Sequence, residues 1–259
     1  MAPAGWLAPD WRIARVGALM TTRTGGVSGG PYASMNLGAA VGDDPAHVTA
    51  NRRLLGDAIA ASPVFLRQVH GTRVVRIGRD DARAEAPEHE ADAAVTSVAG
   101  VACTVQAADC LPVLLAAPDG RAVGAAHAGW RGLAAGVVEA AVQAVSSAAG
   151  YAPGEISAWL GACIGADAFE VGADVLAAFG AAAEDDAAPP DAVRRFRARA
   201  GGKWLADLPG LARDRLAAAG VDRIDGGRWC TVADPARFFS YRRDRTTGRM
   251  AATIWIAPR

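Results

Sequence analysis

The chain has no net charge to offer a partner: 27 Lys and Arg balance 27 Asp and Glu over 259 residues. That balance leaves no global field to draw it to nucleic acid or to an anionic membrane. Nor does it contain an apolar run near the roughly 20 residues that a membrane-spanning helix needs. The start reaches Asp10 and Arg12 without an apolar stretch, so no signal peptide is expected and the expected location is cytoplasmic. Cysteine is scarce. Cys103, Cys110, Cys163 and Cys230 are scattered with no CxxC pair, which argues against a disulfide framework and for reduced thiols. Histidine is equally scarce, with four in the chain. Lysine is almost absent; Lys203 stands alone among arginines, the cation better suited to bidentate phosphate contacts.

Hydrophobic residues, by contrast, make up 51% of the chain, enough for a substantial core. Short apolar, β-branched stretches bounded by Gly, Pro or Asp read as strands. They fall at 12–19, 73–77, 93–97, 101–105, 113–117, 122–126, 156–160 and 251–256. Leu133, Val137, Val138, Ala141, Val142 and Val145 form one apolar face of a helix that Gly150 ends. Asp207 is placed to cap a helix carrying Leu211 and Leu216 and stopping at Gly220. Residues 45–59 read as a third helix, with Val48, Leu54 and Leu55 inward. Pro118-Asp119-Gly120-Arg121 is a turn sequence between two of the strands, so a hairpin is expected and the sheet is at least partly antiparallel. Strands mixed with helices argue for an α/β or α+β domain. The polar, Ala-rich stretch 181–190 reads as a surface loop.

The hairpin matters because it carries chemistry. Cys110 stands just before its first strand and His127 at the end of its second, which brings both to one end of adjacent strands. His70 comes from an upstream strand–loop junction. A thiolate and two imidazoles form a borderline-soft set suited to Zn²⁺, and three ligands leave a fourth position open, as in catalytic sites. Taken singly, Cys110 reads as a small buried hydrophobe and His127 as a satisfied core histidine. His47, in a helix, and His89, in an acidic loop, read as surface residues. Cys103 and Cys230 read as core residues on apolar strands, and Cys163 as structural.

Several motifs, taken together, resemble the YfiH/laccase-domain-containing family. They are Thr22-Arg23-Thr24-Gly25-Gly26-Val27-Ser28, Gln68-Val69-His70, Ala108-Asp109-Cys110 and His127-Ala128-Gly129-Trp130-Arg131-Gly132. The resemblance runs on through Gly161–Gly165, Phe169–Gly172 and Phe239–Asp244, and so spans essentially the whole chain, residues 1–259, as one catalytic domain. It implies a single α/β (α+β) domain with mixed β-sheets packed face to face and flanking helices. It implies one zinc ion held by His70, Cys110 and His127, with copper as the alternative ion. The implied activity is phosphorolysis of adenosine, inosine and methylthioadenosine, with adenosine deamination as a second reaction. The partners are then a small-molecule nucleoside and phosphate. Some members of the family are described as amidohydrolases that edit peptidoglycan precursors, others as copper-dependent polyphenol oxidases.

The residues weigh these chemistries unequally. Four histidines cannot build a four-copper laccase centre. Deamination needs a proton shuttle, for which Asp109 and Glu170 are candidates; Asp109 also reads as a turn cap. Phosphorolysis needs an anion clamp. Arg23, in a Gly-rich loop, and Arg131, near a helix start, are candidates, each also readable as an ordinary surface or packing residue. Asn36 either contacts ribose or closes a turn, and Gln68, within the family motif, is carried over as substrate-binding. Phe169, Phe239 and Tyr241 stack on a base or belong to the core. Two further readings stand beside the zinc nucleoside enzyme. One is a Cys–His amidohydrolase with Cys110 as nucleophile and His127 as base; the other is a non-catalytic binding domain.

Overall fold

The computed structural model describes residues 5–83, 88–181 and 193–258. The strands in chain order are β1 (Val16–Met20), β2 (Ser62–Val64), β3 (Leu66–Arg67), β4 (Val74–Arg76), β5 (His89–Glu90), β6 (Ala93–Thr96), β7 (Val101–Ala107), β8 (Leu111–Ala116), β9 (Val123–Ala128), β10 (Ser157–Leu160), β11 (Glu170–Val171), β12 (Phe196–Arg199), β13 (Lys203–Ala206), β14 (Arg223–Gly226) and β15 (Met250–Ile256). The helices are α1 (Pro45–Ile59), α2 (Trp130–Ala135), α3 (Val137–Ala149), α4 (Ala173–Ala178), α5 (Leu208–Ala218) and α6 (Tyr241–Asp244). A four-stranded sheet runs β1-β15-β7-β2, and a six-stranded sheet runs β14-β10-β8-β9-β6-β4. Both are mixed: β2 is parallel to β7, and β4 to β6, amid antiparallel neighbours.

The alternation of side chains explains the layers. On β8, Leu114 and Ala116 join Val105 of β7 and Ile254 of β15 in a core between the two sheets. Leu111, Val113 and Leu115 point the other way, into a core shared with α3 and α5. On the outer side of the smaller sheet, Leu19, Ala102 and Ala251 pack with Leu55 and Ile59 of α1. The expected face-to-face mixed sheets with flanking helices are what the chain forms. The hairpin is β8–β9, with Ala116 opposite Val123.

Local signals fix most boundaries. Asp44 caps α1 by accepting from Ala46 N, with Pro45 at the first helical position. Val48 and Leu55 face inward as expected, whereas Leu54 is exposed, six residues on from Val48 and so on the outer side of the 3.6-residue turn. The helix expected around 133–147 starts earlier, at Trp130, and breaks at Gly136, whose φ of 104° closes α2 before α3 begins. Gly150 ends α3, and Asp207 caps α5 through Gly210 N. Cys230 lies on no named strand; it is half-buried in an isolated bridge with Cys163. His89 forms part of β5 and meets Asp81 at 2.7 Å. The stretch 182–190 of the expected surface loop lies outside the described residues. Among the described residues no helix is long and apolar enough to cross a membrane.

Candidate metal and catalytic site

Backbone pairing brings the three donors together. Cys110 immediately precedes β8, and Pro112 pairs with His127 across the hairpin. His70 sits on the turn after β3 with φ 63°, and Asp109 next to Cys110 has φ 100°. Both are left-handed conformations that cost a non-Gly residue about 1–3 kcal/mol. The cost at His70 is offset by Asp92, whose carboxylate accepts from the N–H groups of Val69, His70 and Gly71 at 3.1, 2.9 and 2.7 Å. The same carboxylate accepts from His127 Nδ1 at 2.8 Å, and the Asp92 carbonyl accepts from His127 N at 2.7 Å. One fully buried carboxylate therefore sets both histidines. With Nδ1 donating to Asp92, His127 keeps Nε2 as its free ligand atom.

The ligand atoms of His70, Cys110 and His127 lie within 4.8 Å of one another, and Cys110 Sγ is 3.6 Å from His70 Nε2. The two imidazoles meet edge to face with ring centroids 4.8 Å apart. Gly129 keeps this space open. A Cβ there would lie 3.1 Å from both Cys110 Sγ and His70 Nε2. A Cβ would also come within 2.5 Å of His70 Cδ2, so only glycine lets the backbone pass this close to the donors, whose chemistry suits Zn²⁺ or copper.

Electrostatics prepares the thiol. Burial alone would push the Cys110 pKa up, but His127 and then His70 outweigh it and bring it down to about 6. Burial likewise opposes charge on His127, yet the Cys110 thiolate and Asp92 raise its pKa to about 9. Burial pushes the Cys103 and Cys163 thiols up instead. In metal-free protein a thiolate–imidazolium pair therefore exists between about pH 6 and pH 9. The lowered thiol gives stability that is lost as pH falls through 6; the raised imidazole gives stability that is lost as pH rises through 9. Alkylation of the metal-free protein is expected to modify Cys110 first, with a rate that titrates near pH 6. A Cys110 rate titrating near the ordinary thiol value of about 8.5 would contradict this arrangement.

The remaining expected site residues divide by what their polar atoms already do. Asp109 accepts from Thr231 Oγ1 and from Arg242 N, each at 2.6 Å, and so fastens the 231–244 segment to the metal loop. Gln68, expected to bind substrate, spends its amide on β7: Nε2 donates to Gln106 O and Oε1 accepts from Gln106 N. Asn36, given as either a ribose contact or a turn closure, makes turn-closing bonds here. It is fully buried; Nδ2 donates to Asp43 Oδ2 and Gly38 O, and Oδ1 accepts from Gly38 N and Arg249 N. Asn36 has both amide hydrogens and both acceptor sites of Oδ1 occupied, whereas Gln68 uses one hydrogen and one acceptor site and keeps one of each. Arg23 lies over the Phe239 ring and donates to Ala33 O and Pro235 O. Arg131 is exposed and lies over Trp130. Glu170 is exposed on β11. Phe169 and Phe239 are buried beneath Arg242 and Arg23, while Tyr241 is exposed.

Sequence reasoning passed over two residues. Asp92 sits between alanines, Ala91 and Ala93; its one signal was a charge opening an apolar strand. Arg249 lies in Thr246-Thr247-Gly248-Arg249, which looks like a solvated loop.

Comparison with known proteins places this geometry in a family. The family model described as multi-copper polyphenol oxidoreductase laccase matches residues 17–257. A Pseudomonas aeruginosa protein named purine nucleoside phosphorylase is 48% identical over 97% of this chain and 98% of its own length. Purine nucleoside phosphorylase YfiH of Escherichia coli is 46% identical over 96% of this chain and 98% of its own. Among solved structures, a Neisseria meningitidis protein superimposes with a TM-score of 0.87 at 46% identity, covering 98% of this chain and 100% of that one. YlmD of Geobacillus stearothermophilus superimposes with a TM-score of 0.88 at 35% identity, covering 100% and 98%.

Proposed function

The chain belongs to the multi-copper polyphenol oxidoreductase laccase family, and within it we propose that this protein, acting as one catalytic domain, is a zinc-dependent purine nucleoside phosphorylase. The observation that carries this reading is the convergence of the ligand atoms of His70, Cys110 and His127 within 4.8 Å of one another. The names of its full-length relatives, purine nucleoside phosphorylases, support phosphate and a purine nucleoside as substrates. His70, Cys110 and His127 would hold the ion. When bound there, Zn²⁺ supplies Lewis acidity at an open coordination position. The chain's own residues do the rest. Asp92 holds His127 in the tautomer that presents Nε2. The same carboxylate fixes the backbone of His70. Asp109 holds the 231–244 segment beside the site. Adenosine, inosine and methylthioadenosine are the proposed substrates, with deamination of adenosine as a side reaction at the same centre.

One observation favours a second reading. Cys110, whose Sγ lies within 4.8 Å of a His127 ring nitrogen, and His127 on Asp92 form a nucleophile–base–orienter series, the pattern of a Cys–His hydrolase. In that case Cys110 acts without metal on an amide, such as one in a peptidoglycan precursor. Multicopper oxidation fits least: among the described residues His70, Cys110 and His127 are the sole group of donors placed to share an ion. Removal of metal separates the two main readings. Chelation is expected to abolish nucleoside turnover, and one equivalent of Zn²⁺ to restore it. Full activity in the metal-free protein, lost on alkylation of Cys110, would transfer the assignment to the hydrolase.

A further inference from the structure

Arg249 carries a positive charge that the fold holds in place and does not pair. The residue is half-buried. Its NH1 donates to the carbonyls of Thr247 and Gly248, both at 3.1 Å, and among the described residues no carboxylate forms an ion pair with it. Nε and NH2 have no protein acceptor there, which leaves two prongs of the guanidinium fork for a ligand. Of the neighbouring arginines, Arg243 has its guanidinium filled, Arg23 and Arg242 are tethered to backbone carbonyls at the surface, and Arg245 is exposed beside Tyr241; none is as buried as Arg249. Arg23 donates to Ala33 O and Pro235 O, Arg242 to Glu170 O, and Arg243 to Asp244 and three backbone carbonyls.

The backbone around Arg249 is built to hold this position. Arg249 N donates to Asn36 Oδ1 at 2.8 Å, and Asn36 is itself locked by Asp43 and Gly38. The Arg249 stem lies where Gly38 has no side chain; a Cβ there would come within 2.7 Å of Arg249 Cγ. The next residue, Met250, pairs with Ala107, and the chain leaves Ala107 directly for Asp109 and Cys110. Arg249 therefore stands at the same sheet end as the metal donors. Cys110 and Asp109 are the anionic groups that act on it most strongly. In the same turn the Thr247 hydroxyl is buried and has no partner.

A half-buried guanidinium with no counter-ion is costly unless an anion completes it, and its planar fork matches two phosphate oxygens. We infer that Arg249 is the oxyanion-binding residue of the site and takes inorganic phosphate beside His70, Cys110 and His127. The inference rests on the phosphorylase reading and deepens it by naming the group that holds the second substrate. It also moves the clamp away from Arg23 and Arg131, the residues that sequence alone suggested.

The test compares wild type, Arg249→Met, Arg249→Lys and Arg23→Gln in zinc-loaded protein. Arg249→Met keeps the stem against Gly38 and removes the charge. It is expected to raise the KM for phosphate about 10–100-fold, the loss of a charged hydrogen-bonding group, and to leave the KM for inosine within about twofold. Arg249→Lys, which keeps the charge without the fork, gives a smaller rise in the same constant. Arg23→Gln gives less than Arg249→Met. Equal changes in both KM values, or a larger phosphate effect at Arg23, would overturn the proposal. Direct titration of inorganic phosphate by phosphorus NMR is a readout independent of turnover. If the wild type turns over no nucleoside but binds phosphate, and Arg249→Met does not, the phosphorylase reading fails and the anion site stands. If both bind equally, or neither binds, the anion site falls.

Discussion

Asp92→Ala is expected to weaken zinc binding by about 10–100-fold, as loss of a partner that orients a metal ligand does. It is also expected to destabilise the protein by about 3–5 kcal/mol, the range for removing one member of a buried charged pair. Among the described residues no other side chain hydrogen-bonds to two of the three proposed ligands. Its carboxylate is fully buried and accepts from three consecutive backbone N–H groups and from His127 Nδ1. Without it three donors at the His70 turn lose their acceptor, and the left-handed φ at His70 loses the contact that offsets its strain. His127 keeps the Cys110 thiolate but loses the carboxylate that, beside it, favours the imidazolium in the interior. Asp92→Asn is milder in stability yet still damaging, because the amide must turn an N–H₂ toward one of four donors. Competition against a chromophoric chelator gives the affinity, and urea unfolding of metal-free protein gives the stability. Zinc affinity and unfolding midpoint both unchanged in Asp92→Ala would remove Asp92 from the account.

His70→Ala, Cys110→Ala and His127→Ala are each expected to lose most of the bound zinc and to lower phosphorolysis by about 10³-fold or more, the several kcal/mol that a Lewis-acid centre supplies. Their stabilities should separate. His127 is buried against Asp92, so removing it leaves a carboxylate unpaired in the interior. His70 is exposed and its ring bonds to Cys110 alone, so His70→Ala removes a ligand while the metal-free fold stays near wild-type stability. That makes His70→Ala the variant that distinguishes a ligand from a scaffold residue. Atomic emission on each purified variant gives the stoichiometry. Wild-type zinc content persisting in all three would contradict the metal assignment.

What the sequence shows and what it hides follow from range. The cap at Asp44 with Pro45, the cap at Asp207 and the stop at Gly150 are local, so α1, α5 and the C-terminal end of α3 were readable nearly to the residue. The β8–β9 hairpin was readable because its turn residues lie within four positions of each other, and with it came the pairing of Cys110 and His127 at one sheet end. The break at Gly136 was missed because the apolar period of α3 runs on through it. Asp92 was missed because its partners come from register: β6 pairs with β9 so that Ala93 faces Ala126, which puts Asp92 beside His127, 35 positions away. For Asn36 and Gln68 the letter alone left the role open: the bonds of Asn36 to Gly38 are local, whereas those to Arg249 N and from Gln68 to the Gln106 backbone span 213 and 38 positions and come from the fold. Arg249 emerged for the converse reason: tertiary structure half-buries its guanidinium with two carbonyls on NH1 and no carboxylate partner among the described residues.

The most direct test of the central claim is the fate of the ribose. Zinc-loaded protein is incubated with inosine, with and without inorganic phosphate, and the products are separated. The account predicts hypoxanthine and ribose 1-phosphate in equal amounts with phosphate, and no cleavage without it. Hypoxanthine with free ribose regardless of phosphate, or no purine release under either condition, would contradict it.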